Sequence, residues 1–156
     1  MDEKIFMQAA LEEARLAYEE DEVPIGAVIT DENANIITKA HNRREYDKNA
    51  LLHAEIIAIN DACKILGGWR LHKCTLYVTL EPCPMCAGAI INSRIKRVVF
   101  AAKDPKAGCF GSVLNFNSYP FNHKPEIVQG VCEKESLELM GKFFNRLREK
   151  RNEKNY

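Results

Sequence analysis

The sequence predicts one α/β domain over residues 1–156, a three-layer α/β/α sandwich around a five-stranded mixed sheet. Four segments with helical periodicity alternate with five strand-like segments, and this alternation is typical of helices that cover both faces of a sheet. Two of the helical segments are apolar nearly all round, as helices buried against a sheet are. A length of 156 residues suits a single core.

The first part of the chain predicts a helix followed by a β-hairpin. Apolar residues recur at helical spacing over residues 2–20, and Pro24 ends the pattern. Residues 25–30 and 35–40 are strand-like, and the four residues between them are typical of a hairpin turn. Gly26, inside the first strand, indicates that another backbone or a ligand lies close to it.

The middle of the chain predicts two buried helices and two strands. Residues 41–52 are mostly polar and irregular, so we expect a loop there. The helices are predicted over residues 53–66 and 83–92, and the strands over residues 75–80 and 97–102.

The last part of the chain combines a long loop, a strand and a terminal helix. Residues 103–125 are rich in Gly, Pro and Asn, and a loop of this length in a compact domain is usually functional. A strand is predicted over residues 126–131, and a helix from residue 133 to about residue 150, after which the tail is expected to fray. Basic residues crowd the segment 142–154, which indicates either an RNA-facing patch or a solvated helix face.

Charge and cysteine usage limit where the protein works. Lys and Arg together number 22, as do Asp and Glu, so no net charge attracts nucleic acid. The charged first residues lack a signal-peptide pattern and no apolar run reaches membrane-spanning length, so we expect a cytoplasmic protein without a membrane partner. The close cysteine pair at residues 83–86 indicates metal or redox chemistry before a structural disulfide.

Two short motifs predict a zinc site. The triplet H-A-E at residues 53–55 opens the first buried helix, and P-C-P-M-C at residues 82–86 opens the second. We predict that His53, Cys83 and Cys86 bind Zn²⁺, because zinc prefers imidazole and thiolate, and three protein ligands leave a fourth position for water. Both helix N-termini can point at this spot, where their partial positive charge stabilises thiolates.

Glu55 is the predicted catalytic residue. From the first helical turn it can take a proton from a zinc-activated water, whose pKa is about 7, and deliver protons to a ring nitrogen and to departing ammonia. A redox pair would not need His53 and Glu55, and a four-cysteine structural site would need a second close cysteine pair. The combination matches the signature of zinc deaminases.

Nearly the whole chain resembles the family of bacterial tRNA-specific adenosine deaminases, from V-P-I-G-A-V at residues 23–28 to the phenylalanines at residues 143–144. The zinc motifs occur in other deaminases too, whereas D-P-K-A-G at residues 104–108 and F-N-H at residues 121–123 are more specific. The resemblance implies a cytidine deaminase-like fold and a homodimer with one Zn²⁺ per subunit. It also implies conversion of the wobble adenosine of a tRNA anticodon loop to inosine.

The same resemblance implies a set of substrate contacts around the zinc site. Without it, each of these side chains has a plainer explanation, as a turn residue, a loop ion pair, a structural histidine or part of the core. The set comprises Asn42 for the flipped base or its ribose, Asp104 and Lys106 for flanking nucleotides, Asn122 and His123 for other substrate contacts, and Phe144 as a pocket wall.

Two other functions stay open at the level of sequence. The first is a deaminase of a free base or nucleoside, of the guanine or cytidine type. The loop at residues 104–108 and the basic terminal helix disfavour it, because a small substrate has no flanking nucleotides. The second is a catalytically silent, zinc-stapled RNA-binding subunit, which would have no need of Glu55 beside an open metal position.

Overall fold

The computed structural model describes residues 3–154 and contains every predicted helix and strand. Among these residues no helix has both the length and the apolar character needed to cross a membrane. The long loop also holds a short 3₁₀ turn, Phe116–Ser118. The elements are helices α1 (Glu3–Glu19), α2 (Ala54–Leu66), α3 (Pro84–Ser93) and α4 (Glu133–Lys154), and strands β1 (Gly26–Thr30), β2 (Ile36–His41), β3 (Thr75–Leu80), β4 (Arg97–Ala102) and β5 (Glu126–Gln129).

Two predicted boundaries need correction at the end of the chain. Strand β5 ends at Gln129, two residues early, because Gly130 adopts a φ of +90° and turns the chain away. Helix α4 continues to Lys154, past the predicted end at about residue 150, because no Gly or Pro interrupts its last turns. The predicted first helical residue, Asp2, lies outside the described residues.

The five strands form one mixed sheet in the order β2-β1-β3-β4-β5. Strand β1 is antiparallel to both β2 and β3, which confirms the predicted hairpin, and β4 is parallel to both β3 and β5. Because β2 and β3 are both antiparallel to β1, they point the same way. The chain therefore leaves β2, β3 and β4 at the same edge of the sheet, which we call the carboxyl edge.

Helices cover both faces of the sheet, as predicted for a three-layer sandwich. Side chains alternate between faces along each central strand, because successive residues of a strand point to opposite sides. The face that packs against α2 and α3 carries Ala27, Ile29, Leu76, Val78, Val98 and Phe100. The other face, under α1, carries Val28, Tyr77, Val99 and Ala101. Helix α4 also contacts β4 and α1.

The backbone of α1 lies directly against Gly26, which confirms the predicted close approach. A Cβ atom on Gly26 would lie 1.9 Å from the carbonyl oxygen of Ala10 and 2.6 Å from the amide nitrogen of Ala14. The Gly26 N–H donates to Thr79 Oγ1 over 3.1 Å, so the residue is held from the sheet side as well. Only glycine lets helix and strand come this close.

We expect Gly26→Ala to lower the free energy of unfolding by about 3 kcal/mol, because the added methyl group would force α1 away from the sheet. Urea unfolding monitored by circular dichroism measures the change. Gly141→Ala is a matched control in α4, where an added Cβ meets nothing within 4 Å. There we expect a gain of up to about 1 kcal/mol. Equal changes in the two variants would contradict the role assigned to Gly26.

Candidate active site

Both sequence motifs lie where a buried helix begins at the carboxyl edge of the sheet. His53 is the N-cap of α2, with φ −72° and ψ 152°, and Cys83 is the N-cap of α3, with φ −76° and ψ 175°. Pro84 occupies the first turn of α3, where its missing N–H would have no helical partner. Ligands of open α/β sheets commonly bind at this edge.

The three predicted metal ligands are brought together. His53 Nδ1 lies 3.6 Å from Cys83 Sγ and 3.6 Å from Cys86 Sγ, and the ligand atoms all lie within 4.8 Å of one another. Tetrahedral zinc with bonds of about 2.0 Å to nitrogen and about 2.3 Å to sulfur holds these atoms about 3.5 Å apart. The spacing and the donor set therefore fit zinc, with Nδ1 as the histidine ligand.

Glu55 lies in the first turn of α2, two residues after His53, and one of its carboxylate oxygens is available for a ligand. The residue is only 4% exposed, and Oε1 has no hydrogen-bond partner among the described residues. Burial raises the pKa of Glu55 to about 7. A buried polar atom without a partner is unfavourable on its own, so Oε1 marks a position where a ligand is expected to bind.

Hydrogen bonds among the three candidate metal ligands favour the thiolate form of Cys83. The pKa of the Cys83 thiol is lowered to about 4, first by the hydrogen bond from Cys86 and then by the one from His53. The pKa of Cys86 moves the other way, mainly because its proton is held between the two sulfurs. The pKa of His53 is raised, mainly by its hydrogen bond to Cys83. A thiolate beside an imidazole suits a divalent cation.

Asn42 supports the N-terminus of α2 in place of an ordinary cap. The His53 side chain makes no capping hydrogen bond, and the Asn42 Oδ1 atom instead accepts from the N–H of Ala54 over 2.8 Å. Asn42 Nδ2 donates to the carbonyl of Val23 over 3.2 Å. The predicted contact of Asn42 with substrate stays a prediction, for which the amide keeps a second N–H.

Three other predicted residues meet at a second place, beside the long loop. Asp104, Lys106 and Phe144 line a cavity of about 320 Å³ between this loop and α4. Phe143 is buried, whereas Phe144 is 40% exposed and available as a wall. Asp104 Oδ1 accepts from the backbone N–H groups of Lys106 and Ala107, at 3.0 and 3.3 Å, so it shapes a turn.

Asn122 and His123 lie at the opposite edge of the sheet. His123 Nε2 contacts the carbonyl oxygen of Ile95 at 2.6 Å, just before β4 begins, and Asn122 is exposed next to it. The carboxyl edge lies at the far end of β4, and a six-residue strand spans roughly 20 Å. The structure therefore does not bring these two residues close to the predicted metal ligands of the same chain. Their contact with substrate stays a prediction.

Two basic side chains of α4 form ion pairs with another part of the protein. The carboxylate of Asp21 pairs with Arg146 at 3.1 Å and with Lys150 at 3.2 Å. The Arg146 guanidinium also lies 3.9 Å from the centre of the Tyr18 ring. These contacts join α4 to the end of α1, so two of the basic side chains have a structural role besides any contact with RNA.

Sequence reasoning gave no role to Glu81, although it directly precedes the C-x-x-C motif. The residue is 2% exposed and accepts hydrogen bonds from the backbone N–H groups of Asp104, Phe110 and Ser112. The available signal was a carboxylate placed directly after an apolar strand, where a charged side chain needs several partners.

Known proteins resemble this chain over nearly its whole length. Residues 1–148 match the family described as MafB19-like deaminase. The tRNA-specific adenosine deaminase of Bacillus subtilis (strain 168) is 50% identical over 150 residues, which cover 96% of this chain and 92% of that protein. A solved structure from studies of A-to-I editing by tRNA:A34 deaminases at the wobble position of transfer RNA has a TM-score of 0.84 at 46% identity, covering 86% of this chain and 98% of its own. A guanine deaminase from Nitrosomonas europaea shares the fold, with a TM-score of 0.80 at 23% identity over 90% of this chain and 84% of its own.

We expect His53→Ala to lose bound zinc, because the two remaining thiolates cannot complete the site. Elemental analysis after purification in zinc-containing buffer measures the occupancy. His72→Ala is the matched control, since His72 is exposed and lines a different cavity. Full zinc occupancy in His53→Ala would contradict the assignment of the ligands.

We expect Glu55→Gln to stabilise the chelator-stripped protein at pH 8 but hardly at pH 4. Burial raises the folded-state pKa from its ordinary value of 4.5 to about 7, so folding stability falls as pH rises between these values. At pH 8 the charged, buried carboxylate lowers stability by about 3 kcal/mol, and glutamine removes that effect. Urea unfolding at both pH values measures the difference. A stability gain that does not depend on pH would contradict the assigned cause.

Proposed function

We propose that this chain, which belongs to the tRNA-specific adenosine deaminase family, converts adenosine to inosine by hydrolytic deamination at the wobble position of a tRNA anticodon loop. The observation that carries the chemistry is the buried, unpartnered Oε1 of Glu55 beside the His53, Cys83 and Cys86 donor set. Identity of 45–50% to relatives named tRNA-specific adenosine deaminase supports the substrate class, and the likeness to a solved structure from studies of tRNA:A34 deaminases supports the wobble position. The likeness to a guanine deaminase, at 23% identity, supports only the fold.

In the proposed reaction the chain positions a water and moves its protons. Zinc, held by the three ligands, supplies Lewis acidity that makes the water acidic near neutral pH. Glu55 accepts one proton from the water and delivers it to N1 of the adenine while oxygen adds at C6. Glu55 then takes the proton of the hydroxyl group added at C6 and transfers it to the amino group, which leaves as ammonia when its bond to C6 breaks and the C6 carbonyl forms. Burial of Glu55 favours this role, because desolvation raises the pKa of the carboxyl group and makes it a better proton acceptor.

The cavity beside the long loop is proposed to take nucleotides that flank the target. Phe144 offers an aromatic face for stacking, and Lys106 offers a charge for a phosphate. Asp104 keeps Oδ2 for a 2′-hydroxyl or a base N–H. The target base must leave its stack, which is easier in a single-stranded loop than in a duplex. We propose that Asn42 contacts the base or its ribose. Asn122 and His123 are proposed to contact parts of the substrate that lie away from the reacting base.

We also propose that residues 1–156 act as a single domain, in a cytoplasmic homodimer with one Zn²⁺ per subunit. All five strands belong to one sheet, which supports a single domain. The aromatic side chains of Tyr119 and Phe121 are 43% and 46% exposed, so apolar surface is available for a second copy. Sedimentation of the zinc-loaded protein tests the dimer.

Zinc-loaded protein should convert the wobble adenosine of an anticodon stem-loop RNA to inosine. Sequencing of the reverse transcript detects the product as an A-to-G change. A stem-loop with its adenosine moved by one position is the control, and we expect it to react poorly. Absence of inosine together with deamination of free guanine or cytidine would contradict the proposed substrate.

Glu55→Ala should retain zinc and RNA binding but lose turnover by about 10³-fold, the usual contribution of a general acid–base group. Single-turnover assays and elemental analysis measure the two properties separately. Glu32→Ala removes an exposed carboxylate far from the site and should react like the parent protein. Retained activity in Glu55→Ala would exclude Glu55 from the mechanism.

A further inference from the structure

We propose that Glu81 is a positioning residue that holds residues 103–112, here called the substrate loop, in the shape that binds RNA beside the reacting base. This inference rests on the proposed function and deepens it. Glu81 follows β3 directly, is 2% exposed, and lies two residues before the metal ligand Cys83. One buried residue thus precedes a candidate metal ligand by two positions and contacts the substrate loop through its side chain.

The Glu81 carboxylate joins the two ends of the substrate loop. Oε1 accepts from the N–H of Asp104 over 3.1 Å and from the hydroxyl of Ser112. Oε2 accepts from the N–H of Phe110 over 3.0 Å and from the N–H of Ser112 over 3.2 Å. Hydrogen bonds to an ionised acceptor are stronger than neutral ones, so these contacts fix the loop firmly.

The middle of the substrate loop also packs against the same carboxylate. A Cβ atom on Gly108 would lie 2.3 Å from Cδ of Glu81 and 2.5 Å from both carboxylate oxygens. At such distances any side chain at position 108 would displace the Glu81 carboxylate. The loop therefore contacts Glu81 at its start, its middle and its end.

The contacts of Glu81 reach the predicted RNA-binding residues through Asp104. Glu81 accepts a hydrogen bond from the N–H of Asp104. The Oδ1 atom of Asp104 in turn accepts from the N–H of Lys106, and the carbonyl oxygen of Asp104 accepts from the N–H of Gly108. This turn carries Lys106 to the cavity that Phe144 also lines. Displacement of the turn would move the wall for flanking nucleotides while leaving the metal ligands in place.

Glu81 and Glu55 differ in how many of their hydrogen-bond acceptor sites are occupied by protein donors. A carboxylate offers about four acceptor sites, and protein donors fill four at Glu81. Glu55, in contrast, has one oxygen that no donor among residues 3–154 reaches. Glu81 is therefore suited to holding protein backbone and not to exchanging protons with substrate.

Glu81→Gln tests the proposal because it keeps the side-chain shape but turns one acceptor into a donor that faces other donors. We expect KM for the anticodon stem-loop to rise roughly tenfold, as loss of a charge-assisted hydrogen bond allows. We expect kcat to stay within about threefold and zinc content to stay unchanged. In the Glu55→Ala background, the Kd for RNA should rise as KM does. Glu32→Gln is the matched control and should change none of these values.

Gly108→Ala is a second, independent variant that should reproduce the rise in KM. Because both changes disturb the same contact, the double variant should be no worse than either single one. Additive effects would show that the two residues act separately and would overturn the proposal. Unchanged KM and Kd in Glu81→Gln would also overturn it, as would loss of zinc with a collapse of kcat, which would assign Glu81 to the support of Cys83.

Amide hydrogen exchange tests the loop without the reaction. The N–H groups of Asp104, Phe110 and Ser112 should exchange roughly tenfold faster in Glu81→Gln than in the parent protein. Equal exchange would overturn the inference even if the parent protein forms inosine. Faster exchange in a parent protein that forms no inosine would instead reject the proposed function and keep Glu81 as the support of the loop.

Discussion

The parallel pairing of β4 with β3 and with β5 is the constraint that places the second metal-ligand motif and the long loop. Parallel neighbours need a crossover that returns the chain from the carboxyl end of one strand to the amino end of the next. Helix α3 makes this return after β3, and residues 103–125 make it after β4. Each crossover therefore starts at the carboxyl edge and finishes at the other, which places Cys83 and Asp104 near each other and His123 far away.

Helix α2 reaches the same edge because of the antiparallel pairs of β1. It connects β2 to β3, which point the same way because β1 separates them with antiparallel pairs. Its N-terminus therefore reaches the carboxyl edge as well, beside that of α3. Both helices give up an ordinary N-cap there, since the cap positions hold His53 and Cys83 and their side chains face the metal position. Asn42 compensates in α2 by accepting from Ala54.

Two buried glutamates at this edge differ in what surrounds them, and that difference is the basis of the different roles proposed for them. Glu55 is buried beside the candidate metal ligands, so desolvation raises its pKa, and its Oε1 has no hydrogen-bond partner in the part of the chain that the structure describes. Glu81 is equally buried, yet backbone N–H groups from three residues of the long loop surround it. A carboxylate of the first kind can exchange protons, and one of the second kind holds structure.

Local patterns in the sequence predicted the nine main elements and the two-sided burial of the sheet, and they singled out His53, Cys83 and Cys86, which the fold brings together as candidate metal ligands beside Glu55. Periodicity follows from the geometry of a single helix or strand, and zinc chemistry follows from residue type, so neither needs knowledge of distant contacts. The end of α4 was misjudged because helix ends depend on small local preferences. Only the tertiary structure showed that the predicted substrate contacts divide between the two edges of the sheet, with Asp104 at one edge and His123 at the other. It also revealed the contacts of Glu81 with the long loop. Strand order and crossover direction decide both, because they bring together residues far apart in sequence. Those long-range contacts arise when the whole sheet closes, and no short stretch of sequence encodes them.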